Sequence, residues 1–163
     1  MKEKNLIYME VKKMKKVFVV LLLSVILCSA VTGEEASKYE KEHKAIKALI
    51  EEAYIKGVFT EQNPELMRKG FHPGFNMLIL KEGKIVKISI DKWIEMIEER
   101  KKNPEPSKSQ FTHKVPMVNV TGNAAVAKVE IYKDSKHIYS DYMSLYQFKD
   151  GWKIVNKIFH KHN

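Results

Sequence analysis

Two side chains in this sequence are suited to proton transfer, His72 and Asp141. Histidine has an unperturbed pKa near neutrality, so His72 can give or take a proton without much help from its surroundings. Asp141 lies in a β-prone run, where aspartate is depleted, and a carboxylate that points into a core needs a partner. A pair of His72 and Asp141 at the mouth of a cavity would form a catalytic base assembly.

Both residues also have a structural interpretation. His72 precedes Pro73 and would then be a loop histidine that is hydrogen-bonded to the backbone at the turn. Asp141 would face outward, or would pair with a lysine such as Lys157 on the adjoining strand. If Asp141 points inward, its partner is His72 or a tyrosine hydroxyl. The residues by themselves leave these alternatives open.

Apolar and aromatic side chains could wall a pocket for a flat ligand. The candidate ligand-binding residues are Tyr54, Phe75, Trp93, Met96 and Tyr142. Aromatic residues at helical spacing are also ordinary core material. Because side chains alternate along a strand, Asp141 and Tyr142 can line one cavity only if a bulge intervenes.

Three helices are predicted. Apolar residues recur at helical spacing from Tyr39 to Tyr54, and Gly57 is a plausible stop. Asn63-Pro64 is typical of the start of a short second helix over Glu65–Lys69. A third helix is predicted from four apolar residues at i, i+3, i+4 and i+7, namely Ile90, Trp93, Ile94 and Ile97.

Six strand-like runs accompany the helices, and turn residues separate most of them. The runs are Phe75–Leu80, Lys84–Ile90, Thr112–Thr121, Ala124–Lys133, His137–Phe148 and Trp152–His160. Strict alternation along the last run places Trp152 and Ile154 on one face and Lys157 and Phe159 on the other. The order predicts an α+β fold, with about three helices on a curved, mainly antiparallel sheet of about six strands.

Three motifs carry a resemblance to a known family. Phe71-His72-Pro73, Asp141-Tyr142-x-Ser144-Leu145 and the run Gly151 to His160 resemble the bacterial lumazine-binding branch of the nuclear transport factor 2-like superfamily. The resemblance covers roughly Ala45 to His160. It implies a cone-shaped fold with a pocket between helices and sheet, and a homodimer formed through the outer sheet face. It does not select a reaction, because the superfamily hosts isomerases, dehydratases, cyclases, adaptors and binding modules.

The N-terminal segment is typical of an export signal. A basic cluster at Lys12–Lys16 is followed by the apolar run Val17–Cys28, which is too short to span a bilayer, and then by small residues. We expect residues 1–30 to be a signal peptide that is cleaved near Ala30, and residues 31–163 to form one exported domain, periplasmic or secreted. Only an uncleaved leader would attach the chain to a membrane.

Two details of the leader remain open. Met14 is an alternative start that would give a leader of more typical length. Cys28 is preceded by Leu27 rather than by the small residue that lipid attachment normally requires, so a lipoprotein is disfavoured.

Composition disfavours several other classes. The chain has 163 residues, 44% hydrophobic and 30% charged, which is typical of a globular protein. About +4 of the formal net charge of +9 lies in the leader, and the remaining lysines are scattered, so nucleic-acid binding is not expected. Cys28 is the only cysteine, and no phosphate-binding loop is present. His137, His160 and His162 do not share one rigid element with a carboxylate, so neither a metal nor a cofactor is expected.

Three functions follow as hypotheses. The leading one is an exported, dimeric domain that binds a small apolar or aromatic molecule. The second is a cofactor-free acid/base enzyme, an isomerase or dehydratase, that uses His72 and Asp141 with tyrosine support. The third is a dimeric adaptor that works through its sheet face.

Overall fold

The computed structural model describes residues 37–102 and 109–163. These residues belong to two compact units, Met1–Lys41, in which residues 37–41 are helical, and Glu42–Asn163, which contains the sheet. The expected signal peptide, with Met14 and Cys28, lies outside the described residues. Within the described ranges, no helix is long and apolar enough to cross a membrane.

The described residues of the larger unit contain three helices. Helix α1 has α-helical geometry over residues 42–49 and π-helical geometry over Ile50–Thr60; α2 covers Pro64–Gly70 and α3 covers Ile90–Lys102. The Asn63 side chain accepts a hydrogen bond from the Glu65 N–H and so caps α2, as its sequence predicts. The apolar stripe predicted for α3 is buried as a set, because its spacing places it on one face.

The prediction that Gly57 ends α1 is wrong, since the helix continues to Thr60. Gly57 is needed where α2 crosses α1, because a Cβ there would lie 2.8 Å from Cγ of Met67. Gly70 has the same role on α2, where a Cβ would lie 2.1 Å from that of Ala53. The two glycines therefore allow a close helix crossing.

Six strands in the described ranges form one mixed sheet. They are β1 Phe71–Lys81, β2 Lys84–Ser89, β3 Phe111–Thr121, β4 Ala124–Lys133, β5 Lys136–Phe148 and β6 Gly151–Lys161. The spatial order is β2-β1-β6-β5-β4-β3, and only β1 and β6 run parallel. The prediction of an α+β fold with three helices on a curved, mainly antiparallel six-stranded sheet is confirmed.

The first strand begins earlier than predicted. It starts at Phe71, directly after α2, and its pairing with β6 is irregular between Phe71 and Asn76. Pro73 and Gly74 occupy this irregular stretch, and both residue types weaken a strand prediction because they disturb regular pairing. His72 therefore lies within β1.

Register shifts interrupt four of the five strand pairings. Each extra residue bends its strand and increases the local twist, which gives the sheet its curvature. The inner face carries the core, which also includes the buried faces of all three helices. The curvature thus leaves room on the inner face for a cavity beside the core.

Candidate ligand-binding site

Asp141 is a fully buried carboxylate on the inner face of the sheet. It shares that face of β5 with Met143 and Leu145, and its relative exposure is 0%. Burial of an ionised carboxylate costs several kcal/mol unless charge and hydrogen bonds compensate for it. The groups that contact the Asp141 carboxylate therefore determine what chemistry the site can support.

Two side chains satisfy this carboxylate. The Tyr54 hydroxyl of α1 donates to Oδ2 at 2.6 Å, and Lys157 Nζ of β6 donates to Oδ1 at 2.7 Å. Nζ also donates to the Tyr54 oxygen at 3.2 Å, which closes a three-membered network. The Lys157 side chain is only 5% exposed. We call these three residues the buried triad.

A bulge in β6 brings Lys157 to the inner face. Leu145 pairs with Ile154, but its neighbour Ser144 pairs with Asn156, so Val155 is an extra residue on β6. The bulge reverses the alternation, and Ile154 and Lys157 are both buried. The prediction from strict alternation, which placed Lys157 opposite Trp152 and Ile154, is therefore wrong.

Burial sets the protonation behaviour of the triad. Removal from water raises the pKa of the Tyr54 hydroxyl well above its usual range, and the neighbouring negative charge of Asp141 raises it further. Burial also lowers the pKa of Lys157, although Asp141 opposes this change. The tyrosine thus stays a hydrogen-bond donor at neutral pH.

Aromatic rings surround the lysine ammonium. Nζ lies 4.6 Å from the ring centroid of Phe159, 5.1 Å from that of Tyr54 and 5.2 Å from that of Trp93. Such distances allow cation–π attraction, which partly replaces lost hydration. The ammonium is therefore held by one carboxylate, one hydroxyl and three ring faces.

A cavity of about 430 Å³ lies next to the triad. Its walls are mainly aromatic and aliphatic, and the described lining residues that carry a polar or charged group are Tyr54, Tyr139, Trp93, Arg100 and Lys157. Of the described residues, none that lines it is acidic. A mostly apolar concavity with a few convergent polar groups is the usual form of a small-molecule site.

The candidate ligand-binding residues divide into two groups. Tyr54, Trp93 and Met96 line this cavity. Phe75 is fully buried behind Trp93, with the rings stacked at 5.7 Å, and belongs to the core. Tyr142 lies on the outer sheet face with 46% of its surface exposed, because it alternates with Asp141.

The structure does not bring His72 and Asp141 together. His72 Nδ1 accepts a hydrogen bond from the Gly74 N–H at 3.0 Å, and its ring stacks on Phe148. Phe148 is seven residues from Asp141 along β5, or roughly 24 Å at the rise of an extended strand. The pairing of His72 with Asp141, on which the acid/base enzyme hypothesis depends, is therefore not formed.

Most of the cavity lining lies outside the predicted set of ligand-binding residues. The lining residues that the sequence does not assign to a site include the cation Arg100 and the aromatic residues Phe59, Tyr139 and Phe159. The usable signal in the sequence is Lys157 itself, because Val155 and Phe159, two residues away on either side, are apolar. A lysine on an apolar face of a strand needs a charged or hydrogen-bonding partner if it is buried.

Two further histidines, His137 at the start of β5 and His162 just after the end of β6, lie close together. Ser140 Oγ lies 3.2 Å from Nε2 of His137 and 3.0 Å from Nε2 of His162. No three histidine, cysteine or acidic side chains in the described ranges are grouped so that they could hold a metal ion.

Solved structures with this architecture define the class of the protein. It is similar to an NTF2-like protein of unknown function from Shewanella baltica OS155, with a TM-score of 0.64 and 21% identity over 77% of this chain and 97% of that one. An NTF2-like protein of unknown function from Silicibacter pomeroyi DSS-3 gives a TM-score of 0.63 and 20% identity over 76% and 98% of the two chains. At this identity the likeness shows the fold, which is NTF2-like.

A family model gives the finer assignment. The model described as "Putative lumazine-binding" matches residues 41–160, so the chain belongs to that family. No curated protein matches the chain. The resemblance seen in the three sequence motifs is thereby confirmed at the level of family and fold.

The triad generates a stability prediction. Lys157→Met should lower the free energy of unfolding by about 3–5 kcal/mol, because it leaves the Asp141 carboxylate buried without its cation. The double variant Asp141→Asn, Lys157→Met should recover most of this loss, since it removes the buried charge as well. Urea denaturation followed by circular dichroism measures both changes.

Lys161→Met is the matched control for this prediction. It removes a lysine from the same strand, but Lys161 is exposed, so stability should change little. An unfolding midpoint for Lys157→Met equal to that of the unmodified chain would contradict the assigned role of the triad.

Proposed function

We propose that this protein is an exported domain that binds a small, largely apolar or aromatic molecule in the cavity beside the buried triad. The observation that carries the proposal is the cavity itself, about 430 Å³ with aromatic and aliphatic walls and two cations. Membership of the lumazine-binding family agrees with a ligand-binding role. In a protein with a purely structural role, core side chains would fill a space of this size, because an unfilled cavity costs packing energy.

Two probes test the binding proposal. Lumazine is chosen from the family description, and 2-naphthol is an uncharged flat molecule. Isothermal titration calorimetry on the purified chain should show saturable binding of at least one of them. A negative heat-capacity change should accompany it, because apolar surface leaves water.

Neighbouring strand positions provide a matched pair of variants for the same experiment. Ile79 lines the cavity, whereas Leu80 is exposed on the other face of β1. Ile79→Trp should fill the space and weaken binding at least tenfold, whereas Leu80→Trp should leave it unchanged. Absence of binding by both probes and by the related acid 6-hydroxy-2-naphthoate, or equal binding by Ile79→Trp and the unmodified chain, would contradict the proposal.

We further propose that two copies associate through the outer sheet face. Large apolar side chains are 46–49% exposed on the outer face of β4, β5 and β6, namely Val126, Tyr142, Tyr146 and Ile158. A contiguous exposed apolar patch of this kind is typical of an interaction surface. Strand pairing places Tyr142 opposite Ile158, so the patch is continuous across β5 and β6.

Light scattering coupled to size-exclusion chromatography tests the dimer. Ile158→Lys should convert a dimer into a folded monomer, because it places an unpaired charge in the middle of the patch. Val86→Lys is the control, since Val86 is an exposed apolar residue that pairs with the inward-facing Ile79. A monomeric unmodified chain would overturn the dimer proposal, but it would not affect the ligand-binding proposal.

Export rests on the basic cluster and the apolar run of the leader. The intact mass of the protein purified from its own host should correspond to a chain that begins close to residue 31. A mature chain that still contains Val17–Cys28 would contradict export by cleavage.

A further inference from the structure

We propose that the cavity is built for a flat aromatic acid. Its ring system would lie among the aromatic walls, a neutral oxygen would meet Lys157 at depth, and a carboxylate would meet Arg100 at the rim. This inference rests on the proposed function and names the chemical class of the ligand.

Lys157 supplies the contact at depth. An ammonium carries three N–H donors. In the described structure two of them are used, toward Asp141 Oδ1 at 2.7 Å and toward Tyr54 Oη at 3.2 Å. Among the described residues Nζ has no third hydrogen-bond acceptor, only the nearby aromatic rings, and Lys157 lines the cavity, so the third donor would meet an oxygen of the ligand.

The group that meets Lys157 must be uncharged. Asp141 already neutralises the ammonium, and both groups are almost completely removed from water. A second anion beside this pair would be buried without a cation of its own, at a high desolvation cost. A carbonyl, ether or hydroxyl oxygen can accept the hydrogen bond without that cost.

Arg100 supplies the contact at the rim. It is exposed, it lines the cavity, and one nitrogen of its guanidinium lies 3.5 Å from the Val58 carbonyl oxygen. The remaining donors of the planar guanidinium suit a carboxylate, which it can bind through two parallel hydrogen bonds. No acidic residue of the described chain lines the cavity, so the walls place no carboxylate in direct contact with a bound one.

The walls select a flat ring system. Phe59, Trp93 and Phe159 line the cavity together with two tyrosines. Aromatic rings attract one another in stacked or edge-to-face arrangements beyond the effect of buried area alone. Trp93 is fixed from behind by its stacking on Phe75, so this wall is held in place before a ligand binds.

Three bicyclic probes separate these contacts. The first, 6-hydroxy-2-naphthoate, carries an oxygen at one end and a carboxylate at the other; 2-naphthoate lacks the hydroxyl, and 2-naphthol lacks the carboxylate. Calorimetric titration of the full chain should give the lowest Kd for 6-hydroxy-2-naphthoate. Loss of the carboxylate should raise Kd roughly tenfold, and loss of the hydroxyl should raise it severalfold.

Variants assign each contact to its residue. Arg100→Gln should weaken binding of both acids roughly tenfold and leave 2-naphthol unchanged. Lys101→Gln is its control, because it removes the same charge from the next residue, which does not line the cavity. In the double variant Asp141→Asn, Lys157→Met, which avoids an unpaired buried charge, the preference for 6-hydroxy-2-naphthoate over 2-naphthoate should disappear.

The outcomes distinguish this inference from the proposed function. If all three probes bind with equal Kd, or if Arg100→Gln weakens 2-naphthol as much as the acids, the aromatic-acid inference is overturned while ligand binding stands. If neither these probes nor lumazine bind, the ligand-binding function fails, and the inference fails with it.

Discussion

The salt bridge between Lys157 and Asp141 is the constraint on which the site depends, because almost no water reaches either charge. Such a pair is stable only with near-ideal geometry, and any element that moves away leaves a charge without compensation. Three elements meet at this pair: α1 through Tyr54, β5 through Asp141 and β6 through Lys157. The need to keep these groups within hydrogen-bonding distance therefore holds the first helix against the centre of the sheet, and it fixes a polar group beside an otherwise apolar cavity.

The two surfaces available for binding lie on opposite faces of the sheet. The extra residue in β6 turns Lys157 to the inner face, while Ile158 then faces outward beside Tyr142. One face of the central strands thus carries the triad and the cavity, and the other carries the exposed apolar patch. A ligand in the cavity and a second copy on the patch would not compete for the same side chains. This separation is a direct result of strand alternation, with the bulge setting which residues fall on each side.

Local patterns predicted most of the fold and part of the site. Helical spacing and turn residues identified three helices and six strands in the correct order, because these signals act over a few residues. Gly57 was misassigned as a helix stop because a close crossing with α2 produces the same preference for glycine as a helix end does. At the site, the unusual position of Asp141 in a strand was recognised, and a tyrosine hydroxyl and Lys157 were both among its possible partners. Choosing between them and His72 required knowing which residues share a face.

The sequence by itself determined the family, the order of the elements and the presence of a carboxylate that needed a partner, since each of these is written in residue types and their local spacing. Only the tertiary structure decided that Tyr54 and Lys157 satisfy Asp141, that His72 lies at a distant part of the sheet, and that Tyr142 faces away from the cavity. The physical reason is the register of the strands. One extra residue in β6 reverses which side chains of the rest of that strand face the core. The position of that residue is set by the hydrogen-bonded pairing with β5, and not by the residues of β6 alone.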